Sequence, residues 1–259
     1  MTITLESRGP VAVVWFDRPD KLNAVTAGDF ITLRDILRSV AEDPGCRVVV
    51  LTGRGRGFCA GLDLDSGFGE PGPGSIPRTY AELRVGVDAI RLLREMPQPV
   101  VAAVHGNAVG AGFAFACAAD LRVASPEAVF AAPFTRLGMT PGDLGLSWFL
   151  PRLLGVSATA DLFLRGGSVT GADGHRLGLV NELAEDPFAV AMVIAEEIAG
   201  RAPMGVRQAK ELLNASLLGG FREHLEIEIR SQVLLAMTDD HAEAKDAFRA
   251  RREPVFRDR

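Results

Sequence analysis

Residues 11–16 and 47–52 are β-branched and apolar runs bounded by glycine, proline and aspartate, the pattern of strands buried on both faces. Between them Phe30, Leu33, Leu37 and Val40 recur at helical spacing, and Thr26 stands where a hydroxyl can cap the helix they predict. The cycle then repeats. A polar loop rich in glycine and proline over residues 66–77 leads into a helix over 79–95. A strand follows over 100–104, then a short helix after Gly110 and strands over 121–124 and 129–131. This alternation predicts an α/β architecture with crossover connections, and its period is too irregular for a solenoid. Beyond Pro151 the strand signals nearly vanish. Helical patterns dominate residues 157–252, broken at Gly166-Gly167, Gly178, Pro187, Pro203 and Gly219-Gly220, so a helical region is expected that covers the core or mediates assembly.

Residues 99–119 carry no formal charge and are long enough to cross a bilayer. His105, Gly106, Asn107, Gly110 and Gly112 interrupt the run, which reads better as a buried strand, a turn and a small-residue helix in a soluble protein. The amino terminus has neither a basic leader nor a small-residue cleavage site, so the chain is expected to be mature from Met1.

Composition narrows the function classes. With 259 residues, 47% hydrophobic and 24% charged, the chain can bury a sizeable core and is not a disordered polymer. A net charge of -5 gives no footprint for nucleic acid, which requires clustered lysine and arginine. Cys46, Cys59 and Cys117 are too few and odd in number for a disulfide framework, which suits a reducing, cytoplasmic compartment. No metal-ligand spacing is present.

Two glycine segments each follow a buried strand and can open a helix: Gly57-Phe58-Cys59-Ala60-Gly61-Leu62-Asp63-Leu64 and His105-Gly106-Asn107-Ala108-Val109-Gly110-Ala111-Gly112. Glycine there lets backbone N–H groups approach a ligand, and a helix amino terminus adds a positive dipole end. Neither segment is a P-loop or a dinucleotide fingerprint, and each taken singly also reads as tight packing.

Together with Phe16-Asp17-Arg18-Pro19-Asp20-Lys21-Leu22-Asn23-Ala24, Trp148-Phe149-Leu150-Pro151-Arg152, residues 171–180 and the stretch from Ala247-Phe248-Arg249 to Phe256, these segments closely resemble the crotonase superfamily, the enoyl-CoA hydratase/isomerase family. The resemblance runs nearly end to end. It implies a spiral of ββα units over residues 1–200 and a carboxyl-terminal helical trimerisation region over 201–259, forming one functional unit. It also implies an acyl-CoA thioester as substrate, no permanently bound cofactor, and a homotrimer or dimer of trimers. Backbone donors to the thioester oxygen fall on Leu62 and Ala111. Ala111 stands where the family commonly has glycine, and its methyl narrows the acyl pocket. CoA contacts fall on Lys21, Asn23, Ala24, Ala60, Asp63 and Leu64, with Phe248 and Arg251 closing a neighbour's adenine and phosphate site. An ordinary amphipathic terminal helix is the alternative for those two.

The chain departs from the family at its acid/base residues. Where the hydratases carry two glutamates, it has Ala114 and Phe134, neither of which can transfer a proton or hold a water by a charged hydrogen bond. From 100 to 152 the only acids are Asp120, Glu127 and Asp143. Asp120 suits a turn or cap and Glu127 an exposed turn. Asp143 falls, with one extra residue before it, where the resemblance puts the acid of several enoyl-CoA and dienoyl-CoA isomerases. Apolar neighbours Phe134, Leu144, Leu146 and Trp148 would raise its pKa. The other reading of Asp143 is a helix N-cap. Ala114, Phe134, Leu144 and Trp148 form the expected acyl pocket, bordered by loop 66–77.

For other residues the bland readings stand beside the functional ones. His105 reads as a turn histidine, Cys59 and Cys117 as small core residues, and Asp63 and Asp65 as caps. Arg54 and Arg56 could meet CoA phosphates or simply be solvated. The expected activity is isomerisation of an enoyl-CoA with Asp143 carrying the proton. Hydration through Asp143 and a water, or a CoA-ester binding scaffold without turnover, are the alternatives.

Overall fold

A computed structural model describes residues 2–66, 69 and 72–259. The chain begins with β1 (Ile3–Arg8), β2 (Val11–Phe16), α1 (Ala27–Glu42) and β3 (Val48–Gly53), followed by α2 (Ser75–Glu95) and β4 (Val100–Val104). Next come β5 (Asn107–Val109), α3 (Ala111–Ala118), β6 (Leu121–Ala124) and β7 (Val129–Ala131). The second half carries α4 (Leu146–Leu153), α5 (Gly155–Arg165), β8 (Ser168–Thr170), α6 (Gly171–Leu177), β9 (Glu182–Leu183), α7 (Pro187–Ala199), α8 (Pro203–Ser216), α9 (Phe221–Ala236) and α10 (Asp239–Ala250). The main sheet runs β1-β2-β3-β4-β6-β9 and is parallel except for β1, while a smaller sheet runs β5-β7-β8. The turn β4, β5 and α3 lays one strand in the main sheet, one in the smaller sheet and then a helix, and β6 and β7 repeat the step from one sheet to the other.

Why the strands read as unbroken apolar runs is clear from the two faces of the main sheet. Val14, Phe16, Val49, Leu51, Ala102 and Val104 face α1, α2 and α3, while Val13, Trp15, Val50, Val101 and Ala103 face α7 through Ala191, Ala195 and Ala199. A sheet covered on both sides needs an apolar residue at every position. The Thr26 cap is present as a full capping box with Asp29.

Several expectations are corrected. The helix expected over 79–95 starts at Ser75, so the polar loop ends sooner; Gly67, Phe68, Glu70 and Pro71 of that loop lie outside the described residues. Residues 107–109, read as a turn, form β5, and β1 carries no strong sequence signal because only Ile3 in it is buried. The region after Pro151 is not purely helical. β8 joins β7, and β9 extends the main sheet beyond β6, each too short to show a period-2 pattern.

Backbone contacts between the two glycine segments hold the interior together. The Cys59 N–H donates to the Asn107 carbonyl at 3.0 Å, and the Val109 N–H donates to the Cys59 carbonyl at 3.0 Å. Glycines make this approach possible: a Cβ on Gly112 would lie 2.1 Å from the Cys59 carbonyl oxygen, and one on Gly106 would lie 2.2 Å from that of Arg56. No side chain can yield there, since the obstacle is main chain. Gly112→Ala should therefore lower the unfolding free energy by about 3 kcal/mol or more, read by urea denaturation. A loss within about 0.5 kcal/mol, typical of surface positions, would show that the segments can separate at little cost.

Candidate active site

The first glycine segment is clamped from both sides. Asn23, in the left-handed region at φ 60° and buried, donates through Nδ2 to the carbonyls of Arg54 (2.8 Å) and Gly57 (2.7 Å), and its Oδ1 accepts from the Arg18 N–H (2.9 Å). The Ala60 N–H donates to Leu22, the Val25 N–H to Gly61, and the Asp63 N–H to Val25. β5 holds the opposite edge. This pairing consumes the Ala60 and Asp63 amides and the Gly61 carbonyl but leaves the Leu62 N–H without an acceptor among the described residues.

The second donor arises differently. Ala111 is the first residue of α3, so its N–H has no acceptor within the helix, and Gly110 supplies no side-chain cap. Gly110 itself sits at φ 53°, and Gly61 at φ 89° lies so close that a Cβ there would be 2.6 Å from the Val109 carbonyl and 3.5 Å from the Ala111 nitrogen. Both free N–H groups therefore belong to one wall. The far end of α3 is held by Arg122, whose buried guanidinium donates to the carbonyls of Ala119 (2.8 Å), Ala116 (3.3 Å) and Leu179 (2.6 Å). A cation at the carboxyl end satisfies carbonyls that the helix leaves open and complements its dipole, whose positive end faces the site.

A cavity of about 180 Å³ opens in front of these amides, lined mainly by apolar groups. Its wall includes Ala60, Gly61, Leu62, Leu64, Gly110, Ala111, Phe134, Asp143 and Leu144 from among the expected site residues and their segments. Asp143 is aimed there by an unusual turn: Leu144 takes φ 47° and Gly145 φ 79°, which buries Leu144 against α2 while the preceding residue faces the cavity. The N-cap of α4 is Gly145, not Asp143, so the capping alternative for Asp143 is excluded. Burial pushes the Asp143 carboxyl above the ordinary carboxylate range, and the Leu144 N–H draws it partly back.

The remaining expected residues divide. Ala114 is buried within α3, and Trp148 lies beneath the Arg152 guanidinium at 4.1 Å and against Phe149; neither lines the cavity. Both were placed in the acyl pocket by the resemblance, and α3 and α4 turn them away from its wall. Asn23 serves the loop, with its side chain fully engaged. Ala24 accepts from Arg18 through its carbonyl, Asp63 pairs with Arg18 at 2.7 Å, and Lys21 reaches Asp65 at 3.5 Å. The hydrogen bond from Arg18 holds the Asp63 carboxyl below its usual range. Phe248, 86% exposed, and Arg251, which ends α10 in the left-handed region, lie on the terminal helix outside this cavity's wall.

His105 contacts the Gly55 carbonyl at 3.1 Å, as a turn histidine would. Cys59 and Cys117 are fully buried with thiols pushed up to about 12 by desolvation, and so are inert. Arg54 stacks on Trp15 at 3.4 Å. The sequence reading missed Glu82 and Leu83, which α2 brings into the cavity wall. A signal for Glu82 exists: the buried stripe Gly86, Ala89, Ile90 and Leu93, extended back by one turn, lands on it.

Two sheets wound in ββα turns, with two backbone loops converging on an apolar cavity, define a crotonase-type α/β protein. The chain belongs to the enoyl-CoA hydratase/isomerase family, whose model matches residues 6–259. A Mycobacterium bovis protein named "Probable enoyl-CoA hydratase echA12" is 36% identical over 258 residues, spanning 97% of this chain and 90% of the relative. The 1,2-epoxyphenylacetyl-CoA isomerase of Escherichia coli is 32% identical over 254 residues, spanning 95% of this chain and 94% of the relative. The crystal structure of an enoyl-CoA hydratase from Bacillus anthracis matches with a TM-score of 0.94 at 28% identity, covering 100% of both chains. The protein is thus an enzyme of the enoyl-CoA hydratase/isomerase type, and no helix among the described residues is long and apolar enough to cross a membrane.

The burial of Asp143 carries a stability consequence with a definite sign. In the unfolded chain the carboxyl titrates near the ordinary value of about 3.9, and in the folded protein it titrates higher. Between those points the native state binds more protons, so stability falls as pH rises and the full cost is present above the folded value. Asp143→Asn should raise the Tm, with a gain that grows as pH rises above the ordinary carboxylate range and levels off once the folded carboxyl is ionised. A pH-independent difference would mean that burial does not penalise the carboxylate.

Proposed function

We propose that the protein isomerises an enoyl-CoA, shifting a double bond between the 3,4 and 2,3 positions with Asp143 as the only proton carrier. The observation that carries this reading is a half-buried carboxyl with a raised pKa in an apolar cavity that also receives two uncommitted backbone N–H groups. The thioester oxygen accepts from Leu62 and Ala111, which polarises the carbonyl. Asp143 removes a proton from C2, and the C–H electron pair becomes an enolate held by the two amides. The proton returns from Asp143 to C4 as the double bond forms between C2 and C3. Fixed donors aimed at developing charge contribute roughly 3 to 4 kcal/mol each to such a step, and the positive end of α3 adds to them.

Ala60 and Leu64 flank the CoA-side entrance in this reading, with Lys21, Asn23, Ala24 and Asp63 shaping the loop that binds CoA. Phe134 and Leu144 form the acyl wall. The substrate is an acyl-CoA thioester and no further cofactor takes part. Three buried thiols and the absence of disulfides suit a cytoplasmic enzyme.

Hydration is the second reading, favoured by the hydratase name of the Mycobacterium bovis relative. Syn addition of water in this family draws on two glutamates, and Ala114 and Phe134 occupy their positions. The two readings differ in product mass. Wild type should convert a 3-enoyl-CoA to the 2-enoyl-CoA without gaining a water, and Asp143→Asn should cut that rate by roughly a hundredfold or more while leaving CoA affinity nearly unchanged. Rapid hydration of crotonyl-CoA, or full activity in the Asn variant, would overturn the assignment.

Residues 201–259 form the assembly region in the same proposal. Phe221, Leu225, Ile229 and Val233 recur every fourth residue along α9, Met237 follows at its C-cap, and all are exposed, as is Phe248 on α10. An apolar stripe of this length on one helix calls for a partner, and three copies would let Phe248 and Arg251 reach a neighbour's CoA site. Light scattering should give three or six times the 27.6 kDa chain mass at micromolar concentration. A monomer would remove both the trimer and the role of Phe248.

A further inference from the structure

Glu82 is a second carboxylate in the cavity wall, on α2 and remote in sequence from Asp143. Its position follows from the helix. Gly86, one turn further on, packs so tightly on Leu144 that a Cβ there would meet the leucine Cδ2 at 2.9 Å. Residues four apart share a helix face, so Glu82 occupies the same wall one turn along α2 from the Asp143 loop. Leu64, Leu83, Leu137 and Met139 line the same cavity. The carboxylate is half-buried and makes no hydrogen bond or ion pair among the described residues. Partial burial of an unpaired carboxylate costs free energy that a hydrogen-bond donor would recover. Asp143 and Glu82 make no hydrogen bond to one another among the described residues, so each faces the cavity from its own element.

We propose that Glu82 determines acyl specificity, selecting thioesters whose acyl group carries a hydrogen-bond donor such as a hydroxyl over plain alkyl thioesters of the same length. The inference rests on the reading of this cavity as the acyl site. A hydroxyl placed against Glu82 donates to the carboxylate, whereas a methyl in the same place strips water from it and returns nothing, the asymmetry by which polar sites reject apolar analogues.

Binding tests this without requiring turnover. Saturated ω-hydroxyacyl-CoAs with acyl chains of four to eight carbons are each paired with the alkyl acyl-CoA that replaces the hydroxyl by a methyl, and dissociation constants are measured by calorimetry. At one or more chain lengths wild type should bind the hydroxy member roughly tenfold or more tightly. Glu82→Leu should abolish that preference and tighten the alkyl member. Glu82→Gln, nearly isosteric and still an acceptor, should keep part of the preference and covers the case in which the leucine variant fails to fold. Equal affinities at every length in wild type, or a preference that survives in Glu82→Leu, would overturn the proposal and show Glu82 to be a solvated rim residue. The same preparation assayed on 3-enoyl-CoA tests the isomerase reading separately. A hydroxy preference without isomerisation sinks that reading and leaves this one standing, and failure of every thioester to bind sinks both.

Discussion

The two main-chain hydrogen bonds joining Cys59 to Asn107 and Val109 are the contact on which the site depends. They bring together loops that follow different strands, β3 and β4, and they set the spacing of the Leu62 and Ala111 amides. Such an approach is possible only between backbones, so Gly61, Gly106 and Gly112 are required by the space available, while Gly110 turns the chain into α3. An amide that completes no ladder and no helix turn is normally a liability in a protein interior. Here those two amides belong to residues that line the cavity.

The scaffold around them spends buried polar groups in holding backbone rather than in binding. Asn23 ties the first loop, Arg122 closes the end of α3, and Lys210 reaches the carbonyls of Leu93 and Gln98 while pairing with Asp120 at 2.8 Å. Asp120 also accepts from the Val100 N–H, so α8, the end of α2 and the start of β4 meet at one carboxylate. A buried pair of this kind is costly to break from either side because the survivor is left uncompensated. Burial pulls the Lys210 ammonium below its usual range, and the Asp120 carboxylate draws it partly back.

The cavity side shows the reverse balance. Asp143 sits beside Leu144 in a left-handed conformation that a leucine rarely adopts, and its carboxyl is driven up by desolvation. Local strain and a desolvated acid are stabilities forgone in the cavity wall. The tight contact of Leu144 with Gly86 holds that turn, and with it the facing of Asp143.

Strand interiors, the α1 cap and the two glycine segments were legible in the chain because burial on both faces, a Thr26 to Asp29 box and glycine followed by a helix each leave a local pattern. Asp143 was legible as the candidate acid only through family resemblance together with the loss of the two glutamates, since its own neighbourhood reads better as a helix cap. Other features needed the folded protein. β5, β8 and β9 exist because partner strands accept them, and they are too short for any periodicity. Ala114 and Trp148 leave the cavity because helix rotation, which depends on packing, decides which face looks inward. Glu82 enters it for the same reason: an acid on a partly polar helix looks like surface until α2 is laid against Leu144. Sequence records which residues can be buried, but the juxtaposition of segments distant along the chain is set by how backbones and side chains fill space.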